Sequence, residues 1–131
     1  MFVPLSDVRR EEFDWGVIGW RLVPSTGAHH LVVMDVELQP GGGHDFHCHP
    51  GQEEMIIVKE GTILQYVEEE SRTLTAGDSV LVPEGVVHAS FNDDDEHTAF
   101  LQVVISPSLG GKTGYGLVEV ADQEPWSALR R

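Results

Sequence analysis

The sequence has few basic residues and almost no cysteine, and each shortage excludes a class of protein. It contains 8 Lys and Arg against 22 Asp and Glu, which gives a formal net charge of -14. Such a chain repels nucleic-acid phosphates and anionic lipid surfaces, so we expect neither as a partner. Cys48 is the single cysteine, so no internal disulfide can form and the composition does not indicate secretion.

Long apolar runs are also missing from the sequence. No stretch approaches the roughly 18 consecutive apolar residues of a membrane helix, and residues 1–8 lack the basic and apolar segments of a signal peptide. We therefore expect a cytoplasmic protein that is not inserted in a membrane. A chain of 131 residues is long enough for one hydrophobic core and too short for two, which predicts a single domain over residues 1–131.

Helical periodicity is nearly absent before residue 122, whereas short strand patterns recur between Gly and Pro turns. In residues 28–38 the apolar side chains occupy alternate positions, which is typical of a strand with one buried face. Residues 1–14 could add a short edge strand or an arm. The pattern predicts an all-β barrel or sandwich with a short helix at 125–129 and strands at 15–23, 28–38, 55–58, 63–67, 79–82, 86–91, 98–105 and 115–120.

The chemistry-bearing residues concentrate between Gly41 and Glu54. His47 and His49 are two positions apart, so in an extended strand they point to the same face. A turn at residues 50–51 can bring Glu53 or Glu54 back to the same point. Two imidazoles and a carboxylate that converge are typical of a divalent-metal site.

The spacing continues beyond the histidines in two blocks. The first, over residues 41–61, is Gly41, five residues, His47-x-His49, four residues, Glu54, six residues and Gly61. The second, over residues 77–92, is Gly77, five residues, Pro83-x-Gly85, two residues, His88, three residues and Asn92.

This pattern resembles the two motifs of the cupin family. The resemblance implies a small jelly-roll β-barrel. It also implies one divalent transition metal inside the barrel (iron, manganese, nickel, zinc or copper), bound by His47, His49, Glu54 and His88. Spacing back from Gly61 favours Glu54 over Glu53 as the carboxylate ligand.

The remaining histidines and Cys48 carry weaker signals. We expect His29, His30 and His97 to be exposed or bonded locally, and His44 to lie near the rim of the barrel, where a ligand could touch it. Cys48 lies between two inward ligands, so alternation turns it outward as a small packing residue.

A hairpin turn at residues 60–61 would place Gln65 opposite Ile56. Gln65 would then point inward, either as a substrate-pocket residue or as a hydrogen-bonding partner of a neighbouring strand. The same register gives an outer apolar face that could form a homodimer interface, as is common among cupins, made of Met55, Ile57, Leu64 and Tyr66.

Three functions are compatible with this reading. Three histidines and a carboxylate leave open positions on a six-coordinate ion, which favours a metal-dependent enzyme of the dioxygenase or decarboxylase type acting on a small molecule. A non-catalytic module that binds a sugar or organic acid, and a metal-dependent isomerase or lyase, are the alternatives.

One further segment resembles a nucleotide-binding motif only in part. Gly111-Lys112-Thr113 resembles the end of a phosphate-binding loop, but Ser106 stands where that loop needs a glycine. We therefore do not expect nucleotide binding at this segment.

Overall fold

Two antiparallel sheets form most of this computed structural model, which describes residues 1–108 and 114–130. The strands in chain order are β1 (Arg9–Phe13), β2 (Gly16–Leu22), β3 (Val32–Leu38), β4 (Gly43–Cys48), β5 (Glu54–Glu60), β6 (Thr62–Val67), β7 (Glu70–Thr75), β8 (Ser79–Val82), β9 (His88–Phe91), β10 (Ala99–Ile105) and β11 (Val118–Glu119). Single 3₁₀ turns lie at Leu5–Asp7, Pro24–Thr26 and Trp126–Ala128. Gly111-Lys112-Thr113 falls outside the described residues.

The first sheet has the strand order β1-β2-β3-β10-β5-β8, and the second has the order β11-β4-β9-β6-β7. Strands distant in sequence are therefore neighbours in space: β3 pairs with β10, and β4 pairs with β9. This is the predicted all-β jelly roll, and the fold class is confirmed. No helix among the described residues has the length and apolar character needed to cross a membrane.

The core lies between the sheets because alternate residues of each strand face inward. In β3 the inward residues Val32, Met34, Val36 and Leu38 are all buried, as the alternation predicts. Residues 9–13 form the edge strand expected of the N-terminal segment, and the terminal helix is reduced to one 3₁₀ turn.

The predicted hairpin between β5 and β6 is wrong. Gly61, at φ +82°, carries the chain from one sheet to the other, so the two strands do not pair. Both edges of β5 are already occupied, by β10 and β8. Ile56 therefore lies opposite Val103, and Gln65 lies opposite Ser90.

The predicted outer face is also wrong as a single surface. Met55 and Ile57 lie on the first sheet, whereas Leu64 and Tyr66 lie on the second. Tyr66 packs with an aromatic cluster beneath the C-terminal segment, and its hydroxyl donates to the Leu129 carbonyl at 3.4 Å. The chain itself thus covers part of the surface that the sequence pattern predicts as a subunit interface.

Candidate metal centre

Three histidines and one glutamate converge between the two sheets. His47 and His88 are cross-strand partners on β4 and β9, and His49 follows β4 directly. Glu54 begins β5 in the opposite sheet. The exposed fractions of the four side chains are only 2%, 2%, 1% and 4% for His47, His49, His88 and Glu54.

The imidazoles are close enough to bind one ion. One ring nitrogen from each of His47, His49 and His88 lies within 4.8 Å of the others. Glu54 Oε1 is 2.8 Å from His88 Nε2, and its Oε2 is 3.5 Å from His49 Nε2. The structure therefore brings together the four residues that the resemblance to the cupin motifs implied as ligands.

A main-chain carbonyl fixes each imidazole through Nδ1. The distance is 2.6 Å from His47 to the Asp45 carbonyl and 3.0 Å from His88 to the Val86 carbonyl. His49 Nδ1 lies 2.5 Å from the Gly116 carbonyl. A carbonyl can only accept, so Nδ1 carries the proton and Nε2 presents a lone pair to the centre.

The inner atoms of the site have no hydrogen-bond partners. Nε2 of His49, Nε2 of His88 and Oε1 of Glu54 are buried and lack a partner of acceptable geometry among the described residues. Lone pairs that face one another in a buried space are costly, because buried polar atoms are almost always satisfied. A divalent cation satisfies all of them at once, so this donor set fits a transition metal.

The charge states suit the same ion. Burial, with the neighbouring histidines, holds the pKa of His47 well below its usual value, and burial also lowers the pKa of His49. Burial raises the pKa of Glu54, but the close approach of His88 and then of His49 lowers it by more. At neutral pH His47 and His49 are thus neutral and Glu54 is a carboxylate, the forms that bind metal.

A mostly apolar cavity surrounds the centre. Its aliphatic lining includes Ile18, Met34, Val36, Ile56, Leu101 and Val103. Trp15 and Tyr115 add aromatic rings, and His44 and Ser90 add polar groups. Such a lining keeps bulk water away from a bound ion and its ligand.

His44 is half-buried at the rim of the cavity, as predicted, because it lines both the cavity and a surface groove. Its ring stacks on that of His47, with 3.7 Å between centroids, and on that of Trp15 at 5.4 Å. Burial, together with the charges on nearby histidines, lowers the pKa of His44 to about 4. His44 is therefore neutral at physiological pH and faces the cavity without belonging to the ligand cluster.

Gln65 is buried but reaches the cavity only through a neighbour. Its Oε1 accepts a 2.6 Å hydrogen bond from Ser90 Oγ, and its Nε2 donates to the Tyr66 carbonyl at 3.0 Å. Ser90 lines the cavity and Gln65 does not. A direct substrate contact by Gln65 stays a prediction.

Gln52 is a structural support of the site that the sequence reading missed. Its Nε2 donates to the Ser106 carbonyl at 2.7 Å and to the Gly114 carbonyl at 2.8 Å, while its Oε1 accepts from the Gly116 amide at 3.0 Å. Gln52 thereby fixes the segment whose carbonyl orients His49. The sequence places Gln52 inside a polar turn, where nothing distinguishes it from an exposed residue.

The other singled-out residues lie away from the centre. His29, His30 and His97 are exposed, as expected. Cys48 packs against the cluster on the outer side of the second sheet, in agreement with its predicted outward direction. Asn92 Nδ2 donates to main-chain carbonyls, including those of Leu38 and His97, so its role is structural.

Fold and site together define a jelly-roll protein with an internal site suited to a transition metal. The sequence model of the family described as Cupin domain matches residues 34–105, which is more than half of the chain. The chain therefore belongs to the cupin family. The resemblance found in the two motifs is thereby confirmed.

The relatives include both enzymes and proteins named for binding. Auxin-binding protein ABP19b of Prunus persica is 35% identical over 92 residues, covering 66% of this chain and 44% of that protein. Oxalate oxidase GF-3.8 of Triticum aestivum is 31% identical over 87 residues, covering 60% of this chain and 38% of that protein. The chain thus spans less than half the length of these curated relatives.

Among solved structures, the polyketide cyclase RemF from Streptomyces resistomycificus superposes with a TM-score of 0.75 at 21% identity. The match covers 98% of this chain and 97% of that one. At this identity the similarity shows a shared fold over nearly the whole chain and leaves the activity open.

Proposed function

We propose that the protein is a metal-dependent enzyme of the dioxygenase or decarboxylase type, which acts on a small molecule at His47, His49, Glu54 and His88. The observation that carries the proposal is the set of buried, partnerless ligand atoms that face one point. A divalent metal held there supplies Lewis-acid or redox chemistry to a substrate in the cavity.

The residues of this chain have defined tasks in that reaction. The three imidazoles and the carboxylate hold the ion, and the main-chain carbonyls of Asp45, Val86 and Gly116 keep the rings in place. The aliphatic walls exclude water, which strengthens every electrostatic interaction at the ion.

Reconstitution with single metals tests the proposal. The apoprotein would be loaded separately with Fe²⁺, Mn²⁺ and Zn²⁺, and bound metal would be measured by elemental analysis. Oxygen uptake and CO₂ release would then be followed over a panel of small molecules. We expect one ion per chain, with oxygen uptake or CO₂ release in the iron or manganese form.

A binding module is the second candidate. Apart from Glu54, the described residues that line the cavity include no carboxylate or lysine that could serve as a general acid or base. Tight ligand binding without turnover in any metal form would favour this alternative. Turnover in the zinc form without a redox change would instead indicate an isomerase or lyase.

A further inference from the structure

The internal cavity adjoins a surface groove. The two share the lining residues Trp15, Ile18, His44 and Tyr115, which makes the groove the candidate path from solvent to the metal centre. The groove adds Glu11, Phe13, Trp20, Leu117 and Glu119. A ligand that reaches the ion by this path must pass these side chains.

A continuous stack of rings forms one wall of the path. Phe13, 37% exposed, stacks on Trp15 with 5.1 Å between centroids and an interplanar angle of 6°. Trp15 stacks on His44 at 5.4 Å and 7°, and His44 stacks on His47 at 3.7 Å and 15°. Flat rings therefore extend from the surface to a metal ligand.

A second set of rings lies along the same path. Trp20 contacts Tyr115 edge-on with 5.9 Å between centroids, and Tyr115 lies 4.8 Å from the ring of His49. Aromatic walls of this kind favour planar apolar molecules through stacking and edge contacts.

The described lining of the cavity and groove contains no Lys or Arg, whereas Glu11, Glu54 and Glu119 are acidic. Arg9 lies over the ring of the groove residue Trp20, with its Cζ 5.7 Å from the ring centroid, and its charge is already paired with Glu11 at 3.7 Å. A negatively charged group on the body of a ligand would lie unpaired beside these carboxylates, which is costly in a partly buried site.

Besides the metal ligands, the cavity is lined by two polar side chains, those of Ser90 and His44, and by Tyr115. Ser90 Oγ gives its proton to Gln65 Oε1, so its remaining lone pairs can accept a hydrogen bond. The ring of His44 faces the same space. These groups suit a ligand that carries hydroxyls near the ion.

We propose that the substrate is a planar aromatic hydroxyl compound with no anionic group other than the oxygens that bind the metal. Its hydroxyl-bearing edge reaches the ion, and its ring lies between the aromatic walls of the groove. This inference rests on the proposed metal site. It also predicts that oxalate and sugar phosphates bind poorly, because the described lining residues offer them no unpaired cation besides the ion.

A matched pair of probes tests the substrate class. Naphthalene-2,3-diol and its 6-sulfonate share the same chelating edge and differ by one fixed negative charge. Each would be titrated by calorimetry into zinc-loaded protein, in which no redox turnover occurs, with zinc content measured afterwards. We expect the diol to bind at least about tenfold more tightly than the sulfonate or oxalate. Equal or tighter binding of the sulfonate or of oxalate would overturn the inference.

Variants locate the binding path. Phe13→Ala and Trp15→Ala should weaken diol binding several-fold with zinc content unchanged, whereas Phe100→Ala, on the outer face of the first sheet, should not. Leu117→Arg should raise the affinity for the sulfonate, because it adds a cation to the groove. Unchanged affinities in all the groove variants would refute the path.

The two proposals fail separately in this experiment. A protein that binds no zinc contradicts the proposed function. A zinc-loaded protein that prefers the sulfonate contradicts only the substrate class.

Discussion

At the scale of single residues, local sequence orients two of the three imidazoles. His47 and His88 each hydrogen-bond the carbonyl two positions earlier, that of Asp45 and of Val86. His49 instead uses the Gly116 carbonyl, 67 positions away. A short stretch of sequence therefore determines the direction of two rings, while the third depends on the complete fold.

The adjacent glutamates give a matched pair of variants. Glu54 is buried with Ile56 and Val58, whereas Glu53 is exposed. Glu54→Gln keeps the size but removes the anionic ligand, so we expect metal affinity to fall at least about tenfold. Glu53→Gln should leave it unchanged, since exposed substitutions usually have small effects. Elemental analysis after identical purification measures both, and loss of metal in Glu53→Gln alone would contradict the assignment.

Residue types and spacing indicated two histidines and a glutamate, and the resemblance to the two cupin motifs completed the set of four candidate ligands with His88. The same reasoning could not find Ser90, Trp15, Gln52 or Tyr115. Those residues reach the site through strand pairing or through a segment far along the chain. Spacing in the sequence predicts neither the strand pairing nor the position of that segment.

At the scale of elements, alternation predicted β3 well because one of its faces is buried along its whole length. β7 was missed, because its side chains are almost all exposed and polar. The pairing of β5 with β6 was wrong because a glycine turn is compatible both with a hairpin and with a crossing between sheets. Local sequence does not distinguish a hairpin from a crossing between sheets. The outcome depends on which strands occupy the two edges of β5, and these are β10 and β8.

Gln52 offers a test of how one segment supports the centre. Gln52→Ala removes two donors and one acceptor, each worth about 1 kcal/mol or more when buried. We expect a loss of about 2–4 kcal/mol in unfolding free energy and weaker metal binding, because the Gly116 carbonyl is no longer fixed beside His49. Urea unfolding and metal titration measure the two effects.

The exposed Gln123 supplies the control for that experiment, and Gln123→Ala should change neither quantity. Unchanged metal affinity in the Gln52 variant would show that the segment does not orient the histidine.

At the scale of the whole molecule, the buried histidines link stability to pH. His44 titrates near 4 when folded and near 6.5 when unfolded, so between these values the unfolded chain binds more protons. Stability of the metal-free protein is complete above pH 6.5 and falls as the pH drops towards 4. At pH 5 His44 alone contributes a loss of about 2 kcal/mol, and His47 and His49 act in the same direction.

Unfolding of chelator-treated protein at pH 7.5 and pH 5 checks this expectation. His44→Phe keeps a flat ring in the stack without a titrating group, so its pH dependence should be smaller. A metal-free protein that is equally stable at both values would contradict the assignment of neutral buried histidines.

The apolar outer face of the first sheet is the revised candidate for a homodimer interface. Leu81 and Met55 are cross-strand neighbours there, with exposed fractions of 57% and 39%. We expect light scattering to give about twice the chain mass of 14.5 kDa, and Leu81→Glu to give single chains. Val118→Glu, on the opposite sheet, is the control. A wild-type protein that is monomeric at high concentration would refute the dimer.

During synthesis on the ribosome, β3 emerges long before its pairing partner β10. β3 pairs along its whole length with β10, from Val32 opposite Ile105 to Leu38 opposite Ala99. The edge of β3 that pairs with β10 therefore stays unpaired until most of the chain has left the exit tunnel. His88 likewise emerges well after His47 and His49, so a complete set of ligands exists only late in translation. We infer that folding and metal loading are largely post-translational. We also infer that nascent chains aggregate most readily through the unpaired edge of β3.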